Sequence, residues 1–283
     1  MGRIAVVTDS TADLPSHMYG EHEITVVPLL VHFGDEVYRD GVDLTSEEFY
    51  AKLRASRVLP RTSQPSPHDF QVVYEDLASR FDGIVSVHLS SKLSGTYQSA
   101  KIAADMLRGR PVRVIDGKLA SIPTGLLALE AARMAKAGAG IDDIVARVER
   151  LVGEMKVFFT VDTLEYLEKN GRIGKAAAFL GTLLSIRPLL WMDDGEVAPY
   201  EKVRGSRQKI LARLIAVARD HAPADRKVRV GIVHAASPDE TSLFRGAVER
   251  EFACEEILVS TVGPVIGSHT GPGTIAFAFH PVD

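Results

Sequence analysis

The sequence predicts an α/β protein in two parts: an N-terminal parallel sheet sandwiched by helices, then a C-terminal α/β domain with a mixed sheet. Three observations carry this. The 283 residues exceed one typical domain of about 150. Through residues 1–150, short apolar runs alternate with helical periodicity, the pattern of a parallel sheet covered on both faces. Beyond residue 155 a hairpin signal breaks that alternation, so the later strands cannot all run parallel.

Taken in order, Arg3–Thr8, Thr25–Phe33, Gly83–His88 and Pro111–Ile115 are β-branched and almost continuously apolar, as strands buried on both faces are. Helical spacing follows at Thr45–Ala55, Pro67–Arg80, Ser94–Leu107, Ser121–Ala137 and Ile141–Leu151. Thr45 with Glu48 three residues on, and Ser66 before Pro67, are helix-start signals. In the second part, Lys156–Val161 and Ile186–Met192 read as strands, and Asp193-Asp194-Gly195 turns the latter into Glu196–Val203. Helices at Ser206–Asp220 and Pro238–Glu251 flank strands at Lys227–His234, Glu256–Ser260 and Thr274–His280. The boundary is placed after residue 153, giving units 1–153 and 154–283. Gly263–Gly273 is too rich in glycine for a helix or strand and reads as a loop that lets backbone approach a ligand.

Composition narrows the function. Net charge is -4, spread as -3 and -1 over the two parts, so no basic field exists to hold a nucleic acid. The single cysteine, Cys254, offers neither an internal disulfide nor a thiolate metal site, and the nine histidines are scattered. Asp9 and Asp13 interrupt the first apolar run, and Ala176–Met192 is broken by Ser185 and Arg187, which argues against a secretory leader or stable membrane insertion. The expectation is a cytoplasmic protein without metal or cofactor.

Several short patterns fail on context. Gly271–Ala276 has the letters of a dinucleotide fingerprint but precedes a strand instead of opening a helix. Ser206-Arg207-Gln208-Lys209 lacks the companion motifs of an acylating serine, and Gly171–Lys175 lacks the spacing of a phosphate loop.

Three loops persist: Thr8–Thr11, Thr62–Pro67 and Leu89–Thr96 gather hydroxyl side chains where a parallel sheet presents its ligand edge, beyond the carboxyl ends of strands. Ser94, near a helix start, sits beside free backbone N–H groups suited to one carboxylate or phosphate, and Thr62 adds a neutral donor. The same residue types also cap helices and turns for folding alone. Between Lys169 and Lys209 eight bases outnumber four acids, a local +4 suited to an anion or an acidic partner surface.

Seven motifs in chain order resemble the bacterial DegV-like fatty-acid-binding proteins. They are Val6–Leu14, Val26–Leu29, Thr62–Pro67, Leu89–Ala100, Lys169–Gly174, Arg187–Leu190 and Gly263–Gly273, together reaching through essentially the whole chain. Gly117 stands where the family commonly has Ser, and Arg187 where it has Lys. The resemblance implies a long-chain fatty acid such as palmitate held between the two domains, with Thr62 and Ser94 on its carboxylate. It places Ser63, Gly95, Arg172, Arg204 and His269 near the head group or at a docking face. It further implies a non-catalytic partner of a separate ATP-dependent, dihydroxyacetone-kinase-like fatty acid kinase, carrying fatty acid or acyl phosphate to phospholipid synthesis. Phe158, Phe159, Ile186, Leu189, Phe277 and Phe279 are candidate tail contacts that strand spacing equally allows as plain core. The rival readings are an acyl or phosphoryl transfer enzyme using Ser94 with His269, and a regulatory module using the Lys169–Lys209 bases.

Overall fold

A computed structural model describes residues 2–181, 186–223 and 225–282. Its first strands are β1 (Ile4–Asp9), β2 (Ile24–Val27), β3 (Leu30–Phe33), β4 (Glu36–Arg39), β5 (Arg61–Ser63), β6 (Gly83–His88) and β7 (Val112–Asp116). The helices among and after them are α1 (Ser16–Glu21), α2 (Ser46–Ala55), α3 (Pro67–Ala78), α4 (Thr96–Met106), α5 (Ile122–Lys136) and α6 (Ile141–Glu154). The second part has β8 (Lys156–Thr160), α7 (Glu165–Lys169), β9 (Ile186–Asp193), β10 (Glu196–Arg204), α8 (Arg207–Asp220), β11 (Val228–His234), α9 (Pro238–Glu251), β12 (Cys254–Thr261), α10 (Pro264–Thr270) and β13 (Ile275–Pro281).

Both expected sheets are present. The first is wholly parallel in the order β2-β1-β6-β7. The second is mixed in the order β10-β9-β8-β13-β11-β12, with β11 and β12 its parallel pair. Period-two alternation gives each sheet two buried faces. In β1, Ala5 and Val7 pack toward Phe70 and Tyr74 of α3, while Val6 points into the core with Ile122 and Leu126 of α5. In the mixed sheet, Val157, Phe159, Ala276 and Ala278 face that same central core, whereas Phe158, Leu189, Phe277 and Phe279 face α8 and α9. Helices α5 and α6 thus form one layer shared by both sheets. Every residue of α5 from Ile122 to Ala132 is buried, so this stretch has no wet face, and its one charged group, Glu130, is paired with Arg147 and Arg229. Gly231 permits the close approach: a Cβ there would lie 2.6 Å from Ile122 Cγ1.

Two expectations change. Thr25–Phe33 is not one strand: Pro28 supplies no N–H, and the chain leaves β2 to start β3 in a separate antiparallel sheet, β4-β3-β5. Gly263–Gly273 is not a loop. Pro264 opens α10 and Gly271, at φ 73°, ends it. Gly267 inside that helix serves contact, since a Cβ would meet the Tyr50 hydroxyl oxygen at 2.7 Å and Phe49 Cε1 at 2.8 Å. Asp13 accepts from Gly263 N at 2.9 Å, and the Tyr50 hydroxyl donates to Val262 O at 3.1 Å, seating α10 on the first part of the chain.

Candidate functional site

Where the shared helix layer ends, beside the N-terminus of α5 and under α10, the two sheets enclose a cavity of about 310 Å³. Its walls come from both parts of the chain: Leu29 and Leu89 from one, Val157, Phe159 and Ala276 from the other, Val265 and Ile266 from α10. Its polar positions include Thr62, Ser63, Gln64, Ser94, Arg172 and His269.

Each arrives by a separate route. The small sheet carries Thr62 and Ser63 to the carboxyl edge of the parallel sheet, with Thr62 paired to Val31. Ser63 Oγ lies 2.8 Å from His32 Nε2. Ser94 ends the loop after β6, one residue before the N-cap Gly95; its Oγ accepts from Thr96 N at 3.3 Å and lies 2.9 Å from Thr96 Oγ1. Gln64 lies against Gly95, where an added Cβ would clash with its amide, and donates to Ser99 Oγ at 3.0 Å.

His269, on α10, places Nε2 2.8 Å from Thr62 Oγ1. Burial, reinforced by the Arg172 guanidinium, pushes its pKa down to about 4, so the ring is neutral at physiological pH. A neutral imidazole carries one proton. With that proton on Nε2, the ring donates to Thr62 and leaves the threonine hydroxyl hydrogen free for a ligand in the cavity. His269 Nδ1 is sealed from solvent with no hydrogen-bond partner among the described residues. Arg172 is exposed and donates to the carbonyls of Leu93 at 3.2 Å and Asn170 at 2.8 Å, bridging from the second part of the chain to the Ser94 loop.

The structure therefore brings Thr62, Ser63, Ser94, Arg172 and His269 to one cavity, and Phe159 into its wall. It does not bring the remaining candidates there. Arg204 is exposed at the end of β10 and lines no part of the cavity. Phe158, Leu189, Phe277 and Phe279 pack on the far face of the mixed sheet, because a one-residue step along a strand reverses the side chain's face. The side chain of Ile186 lies outside the described residues. Gly95 serves as helix cap and as the floor for Gln64. Four of the eight bases in the charged stretch are ion-paired within the chain: Lys169 with Glu165, Lys175 with Asp193, Arg187 with Asp162 and Arg207 with Glu240. Gln64, Thr270, Thr274 and Met192 also line the cavity without having been singled out. Gln64 was legible in principle, since it stands inside the Thr62–Pro67 motif.

A second hydroxyl–imidazole arrangement lies close by. Ser86 Oγ is 2.7 Å from His88 Nε2, and His88 Nδ1 is 2.9 Å from Asp9 Oδ2. Those are the contacts of a hydrolytic triad, yet all three residues are fully buried, Tyr74 donates to Ser86 Oγ at 2.8 Å, and none lines the cavity. Ser94, which does, is bonded to Thr96 instead of to a base. Among the described residues no cluster of carboxylates, histidines and cysteine is arranged to hold a metal ion, and no helix is long and apolar enough to cross a membrane.

Fold and site together define an α/β protein in which two sheets sharing a helix layer close over a largely apolar cavity lined also by hydroxyl, amide and imidazole groups and by Arg172. The family model described as "Uncharacterised protein, DegV family" matches residues 3–282. A DegV domain-containing protein of Streptomyces coelicolor is 40% identical over 274 residues, covering 96% of each chain. A solved structure from Thermus thermophilus, described as fatty acid binding of a DegV family protein, superposes with TM-score 0.94 at 39% identity, covering 99% of this chain and 100% of the other. The crystal structure of Bacillus subtilis DegV, described as a fatty acid binding protein, superposes with TM-score 0.92 at 33% identity and covers all of both chains. The chain belongs to the DegV family.

Proposed function

We propose that this protein is a cytoplasmic carrier that binds a long-chain fatty acid between its two sheets, carboxylate toward Thr62 and Ser94. It presents that carboxylate to a separate ATP-dependent fatty acid kinase and carries fatty acid or acyl phosphate toward phospholipid synthesis. The observation that carries this reading is a largely apolar cavity into whose lining both uncharged hydroxyl residues, Thr62 and Ser94, are brought. The related Thermus and Bacillus proteins, described as fatty acid binding, support it.

Burying about fourteen methylenes at roughly 0.8 kcal/mol each supplies about 11 kcal/mol gross, the same order as association costs of about 4–15 kcal/mol, so tail burial and contacts at the carboxylate both contribute. An apolar tail alone would bind in either direction. Hydroxyl donors set the direction, and because neither carries a full charge, the carboxylate oxygen keeps the nucleophilicity that attack on a phosphoryl group requires. The geometry favours a carrier over a Ser94 nucleophile, since His269 is engaged with Thr62 and Ser94 with Thr96. Organic extraction of unheated, purified protein followed by mass spectrometry tests the reading. Recovery of one acyl chain per protein is expected, and an extract empty of fatty acid, from protein that also takes none up on titration, would refute it.

A further inference from the structure

A second cavity, of about 620 Å³, lies between the C-terminal half of α6 and the tip of the β9–β10 hairpin. The two cavities share two lining residues, Val157 and Met192. Neither of these stands among the polar groups of the first cavity, and neither Thr62, Ser94 nor His269 reaches the second. Val157 and Met192 form the wall common to the two spaces, and an acyl chain anchored by its carboxylate at Thr62 and Ser94 can lay its methylenes against them. Beyond them the lining is mixed: Leu119, Val152 and Met155 offer apolar contact beside the charged Asp116, Lys118, Glu149, Lys156, Asp193 and Asp194, of which Lys118 and Asp194 pair at 2.9 Å.

The two wall residues differ in mobility. Val157 is buried and β-branched, stiff about its first side-chain torsion. Met192 is half-buried and unbranched, with three rotatable bonds. Its backbone is held in register against Val197 of β10, so the thioether can move while the strand stays. We propose that Met192 is a swinging partition: it closes the first cavity behind acyl chains that fit, and turns aside to pass the terminal methylenes of longer chains into the second. The second cavity is then a subsite for the methyl end of the ligand. This inference rests on the fatty-acid reading above and specifies which part of the chain sets length selectivity.

The test is a titration of delipidated protein with saturated acids from lauric to behenic, comparing wild type, Met192→Ala, and Met192→Ala combined with Gly153→Trp. Gly153 lies on α6, lines the second cavity, has open space where a Cβ would stand, and so accepts a large side chain there. With the partition removed, each methylene beyond the wild-type optimum is expected to tighten binding by about fourfold. The added tryptophan is expected to restore the wild-type length limit by filling the far side. Met192→Leu, of similar volume but stiffer, covers the case in which the alanine variant does not fold; it is expected to weaken only the longest acids. Unchanged length preference in the folded Met192 variants, or a gain in Met192→Ala that Gly153→Trp fails to reverse, overturns the partition. Wild-type protein that binds no acid in the series overturns the carrier reading as well, so the two failures are distinct.

Discussion

The Ser86–His88–Asp9 relay and the Thr62–His269 pair use the same functional groups at nearly the same distances, yet one is sealed and the other borders a cavity. In the relay each side chain has partners: Asp9 alone accepts from Thr11 N, Leu89 N and the Thr11 hydroxyl. In the pair, Thr62 and His269 both line the cavity, although His269 Nδ1 is itself buried without a partner among the described residues. Access, more than residue type, separates a device that holds β1 to β6 from one that can receive a ligand.

That contrast breaks most visibly at Asp9. Asp9→Ala strands several buried donors, and chemical denaturation is expected to show a loss of about 3–5 kcal/mol, with any acyl affinity of the surviving folded fraction unchanged. A stable Asp9→Ala protein lacking acyl binding would mean the relay serves the ligand. Asp40 occupies a middle ground, buried with one carboxylate oxygen unpartnered among the described residues. Desolvation, opposed by bonds from Ser10 and the Val265 backbone, pushes its pKa from 3.8 to about 7. Because the folded value exceeds the unfolded one, the stability it contributes is complete below about pH 4 and is lost as pH rises through about 7. Asp40→Asn is therefore expected to flatten the fall in melting temperature across that window, a difference on the order of a few kcal/mol. A slope identical to wild type would contradict the assignment. At the open site, Thr62→Ala and Ser94→Ala are each expected to weaken fatty-acid binding by about 1.5–3 kcal/mol, some ten- to hundredfold, with little change in melting. Unfolding in place of weakened binding would class these hydroxyls with the relay.

Much of this was legible in the sequence. Largely apolar runs marked β1, β6 and, despite its exposed Arg113, β7; of the three hydroxyl loops, Thr62–Pro67 and Leu89–Thr96 border the cavity, whereas Thr8–Thr11 does not line it. What escaped depends on phase and long-range contact. Phe158 and Phe159 are equally apolar, and only their pairing across the mixed sheet tells which faces the cavity. Gly267 within α10 and Gly271 just after it looked like loop residues because the side chains they make room for, Tyr50 and Tyr166, lie far away in sequence. Met192 carries no local signal at all; its position between two cavities emerges when β9 packs beside β8.

A crystal structure of the delipidated protein soaked with palmitate addresses the binding mode most directly. The carboxylate oxygens should lie within about 3 Å of Thr62 Oγ1 and Ser94 Oγ, with the tail directed toward Val157 and Met192. A reversed chain, or a lipid bound elsewhere while those hydroxyls face an empty cavity, would contradict it.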